Sequence, residues 1–183
     1  NNYKGASSAV THLLETGHRD VGYIRSELRI SNFHERERGF NRARKDFGIP
    51  KDEAADIINV PISSDGAYIY MSKWLDMGNK PVSAYFVEND IIAAACIRAF
   101  REHGYNVPDD VSIVGFDDIP LSSLIDPPLT TVSVMIETIG VQALNILHQR
   151  IKEGGFALCD KRIGSLRVSV QPHLVYRESV KKL

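Results

Sequence analysis

Little in this chain invites redox, metal or membrane chemistry. It holds two cysteines, Cys96 and Cys159, and they lack the spacing of metal ligands. Cys96 falls in an apolar helical run and reads as a small core residue, which fits a reduced, cytoplasmic setting. The six histidines are scattered, and no pair has ligand spacing backed by carboxylates, so neither a metal nor a cofactor is expected. No run of 18 apolar residues occurs, so no membrane-spanning helix is expected, and no signal peptide is read at the start. Basic residues are not in excess: the net charge is −1 and the pI about 6.7. A body that grips DNA phosphates through its own surface would normally carry a positive balance. The G-x-S-x-G, P-loop and G-x-G-x-x-G motifs are missing. Hydrolase and nucleotide-binding readings therefore lack their motifs, and the chain is not expected to be an enzyme.

What is present is ordinary globular composition, 43% hydrophobic and 25% charged over 183 residues. That suffices for one domain or two small lobes. The chain opens Asn1-Asn2-Tyr3-Lys4-Gly5 without an initiator Met, and is read as a fragment. Neither an internal repeat nor a low-complexity segment is seen.

Hydrophobic periodicity and stop signals predict helices over 5–16, 33–47, 65–77, 89–103 and about 136–152. Strands are expected at 21–25, 55–60, 81–87 and 111–116, with two short ones at about 159–169 and 173–177. From 20 to 116 this reads β-α-β-α-β-α-β with short connections and largely apolar strands. The fold class is therefore α/β, a doubly wound parallel sheet covered on both faces. Strand order 2-1-3-4 follows, with a crevice between the first and third strands.

Ligand contacts in such sheets gather where strands end. Here the strand ends carry Arg25-Ser26-Glu27, Pro61 to Ser64, Glu88-Asn89-Asp90 and Asp117-Asp118. An amide and an acceptor-only carboxylate suit a neutral, polyhydroxylated ligand. Asn89 or Asp90 is read as the cap of helix 89–103, and Asp90 is assigned to that role rather than to a ligand. Asp117-Asp118 precede no obvious helix and are read as ligand groups. Arg36 lies on the apolar stripe of helix 33–47, where an unmet charge would be costly. Glu35, Glu37, a strand-end carboxylate or a ligand must meet it, unless it snorkels to water. Gly39 is expected to let this helix approach the sheet closely. Trp74 reads as packing. The Asp126-Pro127-Pro128 turn is read as a hinge.

Several stretches together resemble the lactose-repressor (LacI/GalR) family of bacterial transcription regulators. They are HLLETGHRDVGYI (12–24), ERERGFNRA (35–43), YFVENDIIAAACIRAFREHGYNVPDDVSIVGFDDIP (85–120), DPPLTTV (126–132) and LVYRES (174–179). The ordered set, with GFDDIP and PPLTT at the family's spacing, is highly specific. The resemblance implies a type I periplasmic-binding-protein-like, two-lobed effector domain. Residues 18–124 and 157–180 would be its second lobe; 1–17 and 130–153 would be remnants of the first. The N-terminal helix-turn-helix that reads operator DNA as a dimer is absent from this chain.

By motif, the family's effector contacts fall on Arg36, Asn89, Asp117 and Asn32. Pro61 and Ile136 stand where many members place a ligand-stacking ring. Ile30 stands where purine-responsive members carry a further arginine. A mono- or disaccharide effector is thus favoured over a purine. Helix 90–103 and loop 118–126 are implied as a homodimer surface. Lobe closure about crossings near 17–20, 124–130 and 154–157 would change operator affinity. Helices 5–16 and 136–152 are expected to present apolar faces whose sheet is missing, driving self-association. Two rivals are kept: a sugar-binding protein of transport, and a magnesium-dependent phosphoryl-transfer enzyme using the acidic pair of IVGFDD.

Overall fold

A computed structural model describes residues 1–49, 56–152 and 167–183. Its centre is a six-stranded sheet in the order β2-β1-β3-β4-β5-β6. The strands are β1 (Val21–Ser26), β2 (Ile57–Val60), β3 (Ala84–Val87), β4 (Ser112–Asp117), β5 (Thr130–Ser133) and β6 (His173–Val175). The first five pair in parallel, and β6 closes the edge antiparallel to β5. The expected order 2-1-3-4 is found, as is the doubly wound α/β class.

Side chains alternate across the pleat. Tyr23 and Phe86 face one layer, Ile24 and Val87 the other. On the first side pack α1 (Asn2–Glu15) and α2 (Ser31–Asp46). There Tyr23 stacks on Phe40 at 5.0 Å and on Phe86 at 5.3 Å. On the second side pack α3 (Ser64–Asp76) and α4 (Asp90–Glu102), with Met71, Ile92, Cys96 and Phe100 buried against Ile113 and Leu129. Ser63 caps α3 as its position suggests. A short 3-10 turn, η1 (Pro120–Ser123), follows β4. Among the described residues, no helix is long and apolar enough to cross a membrane.

Four expectations need correction. The apolar face of α1 does not lack a sheet: Ala6, Ala9, Val10 and Leu13 are fully buried in the core shared with β1, β3, β4 and α2. Residues 2–15 thus pack against this sheet. Gly39 does bring α2 close, but to α1; a Cβ there would run into the Tyr3 carbonyl, Ala6 and the Ser7 backbone. Thr130–Ser133, read from sequence only as the end of a turn motif, is a sheet strand. Of the two C-terminal strands, one is found at His173–Val175; residues 167–169 are not in a strand. The rest of 159–169, with Cys159, lies outside the described residues.

The helix α5 (Ile136–Lys152) has no buried residue, and Ile136, Ile139, Leu147 and Ile151 are exposed. Its apolar stripe lies open, as the sequence suggested.

Candidate ligand cleft at the strand ends

The stripe position of Arg36 draws it inward, and it is 5% exposed. Its guanidinium lies 3.8 Å from the centre of the Phe116 ring, a cation–π contact. Three of its N–H groups are engaged: Nη2 donates to Asp117 Oδ1 at 2.8 Å, Nε to Asn2 Oδ1 at 3.0 Å, and Nη1 to the Glu88 carbonyl. The carboxylate that meets this buried charge is therefore a strand-end one, neither Glu35 nor Glu37. Burial pushes the Asp117 carboxyl above its ordinary value, and the Arg36 charge opposes that rise.

Asn89 follows directly on the carbonyl that holds Arg36. It is 9% exposed, and its side-chain oxygen accepts from the Ile92 amide at 2.8 Å, capping α4. The amide nitrogen remains as a donor. Of the two caps the sequence offers, Asn89 is thus the one found, and Asp90 has a different role. It is buried at the start of the helix, accepting from Thr131 Oγ1, Ser122 Oγ and the Ile119 amide.

The strand-end turn is built of unusual backbone. Asp117 has φ 108° and Asp118 φ 52°. Non-glycine residues there are strained and persist only where surrounding bonds over-determine them, which happens most at functional sites. Asp117 is held by Arg36, and Asp118 by Arg177 Nη2 at 2.7 Å. The two carboxylates thus belong to separate ion pairs.

A second network lies beneath. The fully buried Glu88 carboxylate accepts from Tyr23 Oη at 2.5 Å, the Ser26 amide at 2.7 Å and Arg29 Nη1 at 3.0 Å. Burial, and the carboxylate beside it, push the Tyr23 phenol upward. Arg29 also reaches Glu37 at 2.7 Å, and Glu37 in turn meets Arg25 at 2.5 Å. Arg25, Arg29, Arg36 and Arg177 therefore each already face a carboxylate.

Asn32 sits on the first turn of α2, exposed, away from the Arg36 hydrogen bonds. It lines an open cleft of about 620 Å³ with Asn2, Glu35 and, on α5, Gln142. Asn2 links the two regions, since it lines the cleft and accepts from Arg36. The structure thus joins Arg36 to Asp117 directly and sets Asn89 next to them. Asn32 is joined only through the cleft wall.

Sequence reasoning placed Glu88 on the strand-end rim but missed its pairing with Tyr23 and Arg29, and missed Asn2 and Arg177. A glutamate ending an otherwise apolar strand was the one available signal for Glu88. Nothing local marked Asn2.

The sequence matches the family described as periplasmic binding protein-like domain over residues 10–180. The chain belongs to that family, in its LacI/GalR branch. It is 32% identical to an HTH-type transcriptional repressor PurR of Mannheimia succiniciproducens, covering 100% of this chain and 52% of that protein. It is 35% identical to the PurR of Actinobacillus pleuropneumoniae serotype 3, with the same coverage. The chain thus spans about half the length of these relatives. Among solved structures, a LacI family transcriptional regulator from Enterococcus faecium with bound ribose superposes with a TM-score of 0.82 at 28% identity. That match covers 100% of this chain and 64% of the regulator. A transcriptional regulator CelR in complex with cellobiose gives 0.81 at 29%, over 97% of this chain and 52% of CelR. The LacI/GalR chain accordingly has the type I periplasmic-binding-protein-like fold.

Proposed function

We propose that this chain is the effector-sensing part of a LacI/GalR-type transcriptional repressor, and that its effector is a small uncharged sugar held at the Arg36–Asp117–Asn89 rim. The observation that carries this reading is the charge balance of the rim. Arg25, Arg29, Arg36 and Arg177 are all matched by carboxylates. A phosphate or carboxylate held by these four arginines would have to displace a carboxylate, at the cost of leaving a partly buried charge unpaired; Arg167, which lines the cleft beside Asn32, is not one of the four.

A hydroxyl group suits what remains. It can donate to the second oxygen of Asp117, which has no partner among the described residues, and accept from Asn89 or a spare N–H of Arg36. Ile30, 44% exposed at the head of α2, offers an apolar edge where a purine-responsive member would carry charge. The sugars named in the two superposed regulators, ribose and cellobiose, are of this neutral class.

In this reading the sheet described above is the second effector lobe, and Asn32 reaches the same ligand across the cleft. The exposed stripe of α5 meets the first lobe. Ile91, Leu121 and Leu124, exposed on α4 and the loop after β4, belong to the homodimer surface. Ligand binding biases lobe closure by its differential affinity for two states, typically about 1–3 kcal/mol of coupling. Closure re-spaces a DNA-binding head elsewhere in the protein and changes operator affinity. The deciding experiment is a thermal-shift screen of the intact protein with neutral mono- and disaccharides, their phosphates, and purine bases. A shift with a neutral sugar alone supports the reading; a shift with only a phosphate or a purine removes it.

A further inference from the structure

The strained turn at Asp117-Asp118 needs anchors on every side. Upstream, Gly115–Asp117 pairs with Thr131–Ser133 of β5. The two side chains are held by Arg36 and Arg177. Downstream, the next amide, Ile119 N–H, donates to Asp90 Oδ2 at 3.1 Å. That last anchor is unlike the others. Asp90 is 1% exposed and belongs to a different element, α4, whose preceding residue is the site amide Asn89.

The same carboxylate gathers two further elements. Its Oδ2 accepts from Ser122 Oγ of η1 at 2.7 Å, and its Oδ1 from Thr131 Oγ1 of β5 at 2.6 Å. Space for it depends on Gly115, where a Cβ would collide with Asp90 Oδ1. A buried carboxylate that satisfies one amide and two hydroxyls leaves all three unpaired when it is lost. No ligand contact is needed for it to shape the site.

We infer that Asp90 is a positioning residue: it fixes the strained Asp117 turn and, through the same bonds, ties the ligand rim to η1 and to β5. This rests on the reading of that rim as the effector site, yet the device can be tested without any ligand. It also gives the rim a physical connection to the segment after β4, since a shift of Asp117 must pull on the Ile119 amide and hence on the carboxylate that holds Ser122 and Thr131.

The test is residue-resolved amide hydrogen exchange by NMR on the intact protein carrying Asp90→Asn, with Thr131→Val as a milder break that removes one donor. In Asp90→Asn the Ile119 amide should exchange roughly ten-fold faster or more, while Ile24 and Phe86 in the sheet keep their rates. The Arg36 Nε–H resonance should shift although Arg36 does not touch Asp90. Thr131→Val should show the same pattern more weakly. An unchanged Ile119 amide in both variants would overturn the inference, as would uniform acceleration across the sheet, which would mark Asp90 as a general stabiliser only. Because neither readout uses an effector, failure here leaves the sugar reading standing, and failure of the sugar screen leaves this result standing.

Discussion

Arg36 and Asp117 lie 81 residues apart in sequence and meet at 2.8 Å across the end of the sheet, with the arginine side chain 6% and the aspartate side chain 33% exposed. The asymmetry has a consequence. Removing Arg36 leaves Asp117 able to draw on water, whereas removing Asp117 leaves a buried cation. Urea unfolding should therefore show Asp117→Ala to be the more damaging change, at about 3 kcal/mol or more against roughly 1–3 kcal/mol for Arg36→Ala. The reverse order would mean that Glu88 and Asn2 alone satisfy the guanidinium.

Gly39→Ala separates two opposing effects. In an exposed helix, alanine should stabilise by about 1 kcal/mol. Here the new methyl meets the backbone of α1 at Tyr3 and Ser7, which cannot swing aside as a side chain could. A net loss of roughly 1–3 kcal/mol in thermal or urea unfolding is expected. A gain would show that α1 is not packed on α2.

Leu13→Ala tests the placement of α1 more broadly. Leu13 is fully buried in the cluster that includes Tyr23, Phe86 and Phe116. The loss should be about 2–5 kcal/mol in urea unfolding. A near-neutral result would show α1 to be only loosely attached.

Asp90 predicts an unusual pH response. Burial raises its pKa above the ordinary 3.8, with the three hydrogen bonds opposing and the Asp117 charge assisting. A carboxyl raised in the folded state binds its proton more tightly there than in the unfolded chain. Its contribution to stability is therefore full at low pH and declines as pH climbs from near 3.8 through the folded value. Unfolding free energies of wild type and Asp90→Asn, measured from pH 4 upward, should show wild type losing ground to the variant. A wild type that gains on the variant as pH rises would mean the hydrogen bonds outweigh burial.

The order of the first four strands was legible because apolar runs, stop signals and short connections are local properties. Arg36 was legible because its stripe position at 36, between Phe33 and Phe40, forces the question of what meets its charge. The sequence could not choose among Glu35, Glu37 and a strand-end carboxylate, since that depends on where β4 ends in space. Strand β5 was hidden: Thr130–Ser133 is short and follows two prolines, and only pairing with β4 and β6 makes it a strand. Asp90 was misread for a related reason. Either Asn89 or Asp90 can cap a helix, and what distinguishes them is the approach of Ser122 and Thr131, more than 30 residues onward. The apolar face of α1 was clear in sequence, but its covering is tertiary.

Isothermal titration is the decisive measurement of whether the rim grips an uncharged sugar through Arg36. The intact protein and its Arg36→Ala variant would each be titrated with neutral sugars, ribose and cellobiose among them, and with the corresponding sugar phosphates. A neutral sugar should bind wild type, its phosphate should bind more weakly, and Arg36→Ala should lose about 100-fold in affinity, near 2.7 kcal/mol. Equal sugar affinity in the variant, or tighter binding of the phosphate, would contradict this expectation.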